Sequence, residues 1–323
     1  MGWKFYNFLK NYDKINRVGD ESRQNSRAHV RKDRRRAQNV QKAREVRMRK
    51  NMEQIVLEQQ AAKCQSVEEL FLLWQLMQQS EEEPFGKTCY EEIDQRSFHI
   101  DGIISANDYD GILFILKETN MKKFIQRDQN MPVISDIRRQ AAAGKSPTGE
   151  VEYLDHLAGM QFILGQTPTK EESGEIVPLH RENLRKAAIL FINKRGGKGA
   201  ADDISMCYGQ YYIEFIRRQI HLLKPKTIVC CGEDIFRLIV MEVFQNKRQK
   251  KNREIYMKWK NVVIGDIFYT DSRFYPEVPD KSAPVRVIRM WNPAYRVNNG
   301  QYVSLDEYLG EFKRRIGVTG KEE

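Results

Sequence analysis

Three apolar runs in this 323-residue chain end in side chains that could do chemistry. GILFILKETN contains Glu118 and ends at Asn120, AAILFINKRGG turns polar at Asn193, and VRVIRMWNPAYR turns polar at Asn292. A glutamate can act as an acid or a base, and a side-chain amide presents a donor beside an acceptor, which matches the edge of a nucleobase. The alternative interpretation is that each asparagine caps a helix or a turn.

Cations adjoin two of these amides. Lys194 and Arg195 follow Asn193, and Lys198 belongs to the same glycine-rich loop, KRGGKG. Arg296 follows Asn292 at a short distance. The loop KRGGKG could bind a phosphate, but its spacing is not that of a P-loop. No G-x-G-x-x-G motif occurs in the chain. We therefore expect no dinucleotide cofactor.

A sheet must position these residues. Four apolar segments are typical of buried strands, and they lie at residues 111–120, 187–197, 226–234 and 285–296. Because helical stretches separate them, we predict an α/β fold, a three-layer α/β/α sandwich around a mostly parallel sheet of about four strands. Residues 261–269 add a further strand or a β-ribbon. Ligands bind at the carboxyl ends of parallel strands, so we expect Glu118, Asn193 and Asn292 to converge there.

Two helices are predicted around this sheet. Ser66, followed by acidic residues at 68 and 69, opens the first, and its Trp74 is expected in the core and not on a base-stacking surface. The second ends before Pro225 and buries Tyr212 together with other apolar residues. We divide the chain into a basic helical arm (1–60), a helical extension packing on the core (61–100) and an α/β domain (101–323).

Charge is distributed unevenly along the chain. The net charge is +10, and residues 1–60 carry 16 Lys and Arg against 7 Asp and Glu, so the rest is almost neutral. A cationic arm on a neutral body is typical of nucleic-acid binding, and we expect Arg34, Arg35 and Arg36 to contact phosphates. Its apolar stripe is too narrow for a membrane-lying helix. The alternative is a solvated helix that packs on its own body.

Several classes are excluded by composition. No run of 18 apolar residues exists, so no membrane span is expected. The five cysteines are odd in number and lack metal-ligand spacing, which disfavours a disulfide scaffold and an iron–sulfur or zinc site. We predict a cytoplasmic protein with no metal, no cofactor and no obligate protein partner.

The order of these segments resembles the uracil-DNA glycosylase superfamily over roughly residues 105–312. The segment LKETNM (116–121) stands where the family has its first catalytic loop, and LFINK (190–194) with KPKTIVCCG (224–232) resembles the middle strands. The segment RMWNPAYR (289–296) stands where the family has His-Pro-Ser. The chain departs from the family at Lys117 and Asn120, where Gly and Pro are common, and at Asn292, which replaces the histidine.

The resemblance implies a monofunctional DNA glycosylase that flips a pyrimidine out of double-stranded DNA and hydrolyses its N-glycosidic bond. The catalytic group would comprise Glu118, which activates water beside the sugar, Asn120, which positions that water or the sugar, and Asn292, which donates to the departing base. The base pocket would comprise Asn193, Met121 and Phe124. The DNA contacts would come from the arm, from Lys194, Arg195 and Lys198, and from Tyr295 or Arg296 as a wedge in the duplex.

The substrate stays open at this point. Remodelled first and third loops favour a modified base, such as the glucosylated hydroxymethylcytosine of phage DNA, and a role in phage defence. The alternatives are a uracil-excising repair enzyme, a non-catalytic nucleic-acid-binding protein that keeps the fold, and a nucleotide-processing enzyme that uses KRGGKG. A strand-nicking lyase step through Lys117 or Lys194 is a further alternative.

Overall fold

A computed structural model describes the backbone of residues 52–80, 93, 97–120, 151–165, 181–197, 204–244, 265–270, 284–293 and 303–317. Side chains are described for these residues except 119, 120 and 151–153. The chain divides into two compact units, Met1–Arg49 and Lys50–Glu323, and the first lies outside the described residues. Several predicted site residues also lie outside them: Arg34, Arg35, Arg36, Met121, Phe124, Lys198, Tyr295, Arg296 and the side chain of Asn120.

One six-stranded, mostly parallel sheet forms the centre of the second unit. Its strands are β1 (Gly102–Ile103), β2 (Ile112–Asn120), β3 (Ala187–Gly197), β4 (Thr227–Cys231), β5 (Ile267–Tyr269) and β6 (Arg286–Met290). They lie side by side in the order β1-β3-β2-β4-β6-β5. The four central strands are parallel, and the two edge strands pair antiparallel to their neighbours. The predicted α/β class is therefore confirmed, and two short edge strands extend the four-stranded core.

Apolar sequence explains why these segments are strands. Every residue of β3 is buried, and β2 is apolar from Ile112 to Leu116 before it turns polar. A strand covered on both faces needs such continuous apolar sequence, and both runs supply it. The predicted extra strand near residue 267 is confirmed as β5, whereas the two residues of β1 carry too little pattern to be found.

Helices cover both faces of the sheet. They are α1 (Met52–Ala61), α2 (Val67–Gln79), α3 (Val151–Gly165), α4 (Ile204–Tyr211), α5 (Ile213–Leu223), α6 (Glu233–Leu238) and α7 (Leu305–Ile316). A short 3-10 helix, Arg181–Lys186, precedes β3, and a π turn, Ile239–Val243, follows α6. On one face α3 and α7 pack on β2, β3, β4 and β6. On the other face Gly209 of α4 lies directly against Ile192 of β3.

The predicted first helix is confirmed as α2, since the Ser66 hydroxyl accepts from the backbone N–H of Glu69. Trp74 is fully buried against Tyr208 and Phe215, as a core tryptophan should be. Helix α1, most of which falls within the predicted arm (1–60), contacts both α2 and α5 and buries Leu57. None of the described helices is both long and apolar enough to cross a bilayer.

Candidate functional site

The candidate site lies at the carboxyl edge of the sheet, where the direction of chain winding reverses. From β2 the chain crosses to β3 on one side, and from β3 it crosses back to β4 on the other side of β2. The carboxyl ends of β2 and β4 therefore flank the switch point, which is the usual ligand crevice of open parallel sheets. Glu118 stands at this end of β2.

Glu118 is a nearly buried carboxylate held by several donors. Its side chain is 2% exposed, and Oε2 accepts hydrogen bonds from Asn193 Nδ2, at 2.9 Å, and from the Ser205 hydroxyl. Oε1 lies 3.5 Å from the ammonium nitrogen of Lys117. Strand pairing sets up the first contact, because Glu118 and Asn193 are direct neighbours across β2 and β3. The predicted convergence of these two residues is confirmed.

Both the nitrogen and the oxygen of the Asn193 side-chain amide form hydrogen bonds with protein groups. Besides Glu118, Nδ2 donates to the Gly196 carbonyl at 3.0 Å, and Oδ1 accepts from the Arg195 backbone N–H at 3.0 Å. These contacts form a local turn at the end of β3 in which the side chain replaces backbone partners. The amide edge thus faces Glu118, which differs from the predicted direct contact with a base.

Two glycines let the end of β3 close on the carboxylate. Gly196 has a φ of 85°, which places it in the region that favours glycine, and the register of β2 with β3 shifts between Glu118 and Asn120. Gly197 lies so close to Glu118 that a Cβ atom would overlap its carboxylate. Gly196 and Gly197 of the predicted phosphate loop therefore serve the packing of Glu118.

The predicted role of Lys194 as a phosphate ligand requires correction. Its side chain is 0% exposed and forms an ion pair with Asp101, and its ammonium group lies 5.0 Å from the ring centre of Trp74. Side chains alternate along a strand, so Lys194 points to the face opposite Asn193. An ammonium group held there cannot reach a DNA phosphate.

Arg195 is buried as well, with its guanidinium carbon 5.4 Å from the ring centre of Tyr208 on α4. Its side chain therefore packs within the protein and is not presented at the surface as the sequence predicted. In both residues a cation that follows an apolar run is used inside the fold, which charge alone does not indicate.

Asn292 lies at the same edge of the sheet, beyond the end of β6 and exposed to solvent. Strand β4 separates β6 from β2, so about 10 Å of sheet lies between the Asn292 and Glu118 strands. The predicted three-residue convergence therefore holds for the pair Glu118 and Asn193, and Asn292 lies two strands away from Glu118 at the same edge of the sheet.

The loop that carries Asn292 is anchored by α7. The Tyr308 hydroxyl donates to the Trp291 carbonyl at 2.7 Å, and Arg315 donates to the Arg289 carbonyl at 2.9 Å while its guanidinium lies over the Trp291 ring. Burial raises the pKa of Tyr308 despite the nearby Arg315, and this keeps the Tyr308 hydroxyl protonated as a donor. The loop is therefore supported before any ligand arrives.

The carboxyl end of β4 carries ion pairs. Gly232 has a φ of 145° and leads into α6, and Glu233 accepts from Arg289 at 2.6 Å. Arg289 also contacts Asp266 at 2.7 Å. Burial lowers the pKa of Arg289, and its contacts with these two carboxylates more than reverse that effect, so the pKa is raised overall.

Two functional candidates, Ser205 and Asp101, escaped the sequence analysis. Ser205 lies 87 residues from Glu118 and Asp101 lies 93 residues from Lys194, and neither belongs to a motif. The pairing of strands and helices brings Ser205 to Glu118 in the site, and it brings Asp101 to Lys194 on the opposite face of the sheet. Among the described residues, no group of three or more His, Cys, Asp and Glu side chains could hold a metal ion.

Comparison of the chain with protein-family models, with curated proteins and with solved structures gives no match.

Proposed function

We propose that this protein is a DNA glycosylase in which Glu118 is the catalytic carboxylate. The observation that carries the proposal is the Glu118–Asn193 hydrogen bond of 2.9 Å at the carboxyl edge of β2 and β3. A carboxylate held at a topological switch point is suitably placed for a ligand in the crevice. The resemblance to the uracil-DNA glycosylase superfamily supplies the reaction type.

The chemistry of base excision calls for such a group. Cleavage of an N-glycosidic bond develops positive charge on the sugar and negative charge on the base, so a fixed carboxylate stabilises the first and can orient the attacking water. Fixed hydrogen bonds matter because a carboxylate that is already oriented needs no reorganisation during the reaction. In this proposal Asn193 orients Glu118, in place of the predicted reading of the base.

Asn292 would supply the donor for the departing base. It is exposed at the same edge, on a loop that Tyr308 and Arg315 hold in place. An extruded nucleotide has to fit between the ends of β2 and β6, with β4 beneath it. The proposed substrate is double-stranded DNA with a modified pyrimidine, such as glucosylated hydroxymethylcytosine of phage DNA, and the proposed role is phage defence.

The test is a comparison of wild type with Glu118→Gln on duplexes that contain either modified cytosine or uracil. Because glutamine lacks the negative charge that the cationic sugar requires, we expect abasic-site formation to fall about 10²- to 10³-fold, the loss typical of removing one stabilising group from an active site. Binding to the same duplexes should stay within about twofold. Mass spectrometry of the released base identifies the substrate.

The outcomes separate the candidate functions. Release of uracil alone would replace the phage-defence role with uracil repair, and excision that persists in Glu118→Gln would contradict the catalytic assignment. Salt-sensitive binding without any abasic product would favour a nucleic-acid-binding protein that has kept the fold. The engagement of the Asn193 amide by Glu118, Gly196 and Arg195 is the observation that favours this second candidate, because the amide predicted to read a base is bound to the protein itself.

A further inference from the structure

The amino terminus of α4 places a second donor on the carboxylate of Glu118. Ser205 is the second residue of α4 and is fully buried, and its hydroxyl donates to Oε2, the same oxygen that accepts from Asn193. These donors come from separate elements, one from a strand and one from a helix. Two donors on one oxygen fix both the position of the carboxylate and its rotation.

Because α4 is packed firmly against the sheet, the hydrogen bond from Ser205 fixes the position of the Glu118 carboxylate. The helix packs on β3 through Gly209, which lies against Ile192, and Tyr208 is fully buried with its ring 6.3 Å from that of Trp74. A serine on a packed helix has little freedom, so its hydroxyl holds Glu118 at a set distance from the helix axis. Gly197 closes the remaining side.

We propose that Ser205 is a positioning residue that orients the Glu118 carboxylate for the reaction proposed above. The expected change in rate rests on that proposed function. The expected change in the position of Glu118 rests on its hydrogen bonds alone. A displacement of about 1 Å at a catalytic group can lower the rate about 100-fold. Loss of this hydroxyl should therefore lower the rate of the chemical step with little effect on DNA binding.

The experiment compares Ser205→Ala, Ser205→Thr and wild type in the full-length protein. We expect kcat for base release to fall about 10- to 100-fold in Ser205→Ala, with KM within about twofold, because a charge-assisted hydrogen bond is lost and no DNA contact is removed. The threonine variant, which keeps the hydroxyl, should recover most of the rate. A structural role alone would move thermal stability without this selective loss of kcat.

Crystal structures of wild type and Ser205→Ala give a second measurement that does not depend on activity. We expect the Glu118 carboxylate to rotate or to shift away from its wild-type position when the hydroxyl is absent. Thr270→Val is the matched control, because it removes another buried hydroxyl, which accepts from the Val285 N–H at 2.8 Å and lies outside the site. This control should lower stability and leave kcat unchanged.

The two proposals fail in different ways. An unmoved Glu118 carboxylate in Ser205→Ala, or a kcat equal to that of wild type, would overturn the role of Ser205 alone. Base release that survives in Glu118→Gln would overturn the proposed function, while a shifted carboxylate in Ser205→Ala would still support the positional role.

Discussion

At the scale of single residues, the closest packing in the site is between Gly197 and Glu118. A Cβ atom at position 197 would overlap the carboxylate, which Asn193 and Ser205 already hold from other sides. The carboxylate therefore cannot move aside without breaking hydrogen bonds. This makes Gly197 a residue whose size, and not its conformational freedom, matters.

We predict that Gly197→Ala destabilises the fold by about 1–3 kcal/mol, the range typical of overpacking, and abolishes base release. Urea unfolding and the abasic-site assay measure the two effects. Gly310→Ala is the matched control: it lies inside α7 with open space around its Cβ position, so it should be neutral or stabilise by up to about 1 kcal/mol. Equal stability of the two variants would contradict the packing argument.

The residue scale also shows where sequence patterns stop being informative. The meeting of Glu118 with Asn193 was predictable, because both follow apolar runs and parallel strands end at one edge. The burial of Lys194 was not, because its partner Asp101 is 93 residues away and charge usually indicates exposure. The role of Ser205 carries no signal in the sequence at all.

At the scale of elements, a short segment shields the outer edge of β3. Asp101 accepts hydrogen bonds from the Phe191 backbone N–H at 2.7 Å and from Gln219. The backbone N–H of His99 donates to the Lys194 carbonyl at 2.7 Å. The ring of His99 is enclosed by this arrangement and is 4% exposed as a residue. The element that carries Asn193 is thus fixed from both sides.

This enclosure predicts a pH dependence of stability. Burial lowers the pKa of His99 from its ordinary 6.5 to about 4, with Asp101 opposing the change and Lys194 adding to it. Between these two values the unfolded chain binds a proton and the folded protein does not, so stability falls as the pH falls. We expect a loss of about 3 kcal/mol on going from pH 7 to pH 4.

Urea unfolding of wild type and His99→Leu between pH 7 and pH 4 checks this expectation. The variant cannot titrate at this position, so its stability should vary less over that window. Glu311 titrates mostly at lower pH, because Arg314 and Arg315 lower its pKa to about 2. The stability that it contributes is lost as the pH falls from its ordinary pKa of 4.5 towards 2, so the comparison is made above pH 4.5. Identical slopes for the two proteins above pH 4.5 would contradict the prediction.

Most elements were predictable because each has a strong local pattern. The apolar runs of β2, β3, β4 and β6 and the serine cap of α2 are visible in the sequence and recur in the structure. The packing of α1 on α2 and α5 was not predictable, because its apolar positions are few and it follows the basic segment directly.

At the scale of the whole molecule, charge separates the chain into two parts. The net charge of +10 derives almost entirely from residues 1–60, because the remaining residues carry 38 Lys and Arg against 37 Asp and Glu. Affinity for DNA that depends on phosphate contacts should therefore reside in the arm. The Arg34–Arg36 triplet is its densest cluster.

We predict that replacing Arg34, Arg35 and Arg36 by alanine in the full chain makes the slope of log affinity against log salt less steep by about 3, since each phosphate contact contributes about 0.9. Fluorescence anisotropy with duplex DNA at several salt concentrations measures the slope. The control replaces Lys186, Lys224 and Lys226, which are exposed at the starts of strands, opposite the edge that holds Glu118. If the triple arginine variant left the slope of log affinity against log salt unchanged, the alternative would hold that the arm is a solvated helix without phosphate contacts.

The cover over the outer edge of β3 has a consequence for association between molecules. An uncovered outer strand offers unsatisfied main-chain groups to which a neighbouring chain can add a strand of its own. Here β1 pairs with Ala188 and Ile189, and the Asp101 side chain accepts a hydrogen bond from the Phe191 backbone N–H. An incoming strand would have to expel a buried carboxylate and strip Lys194 of its counter-ion, so this rim of the sheet resists growth into larger, misassembled sheets.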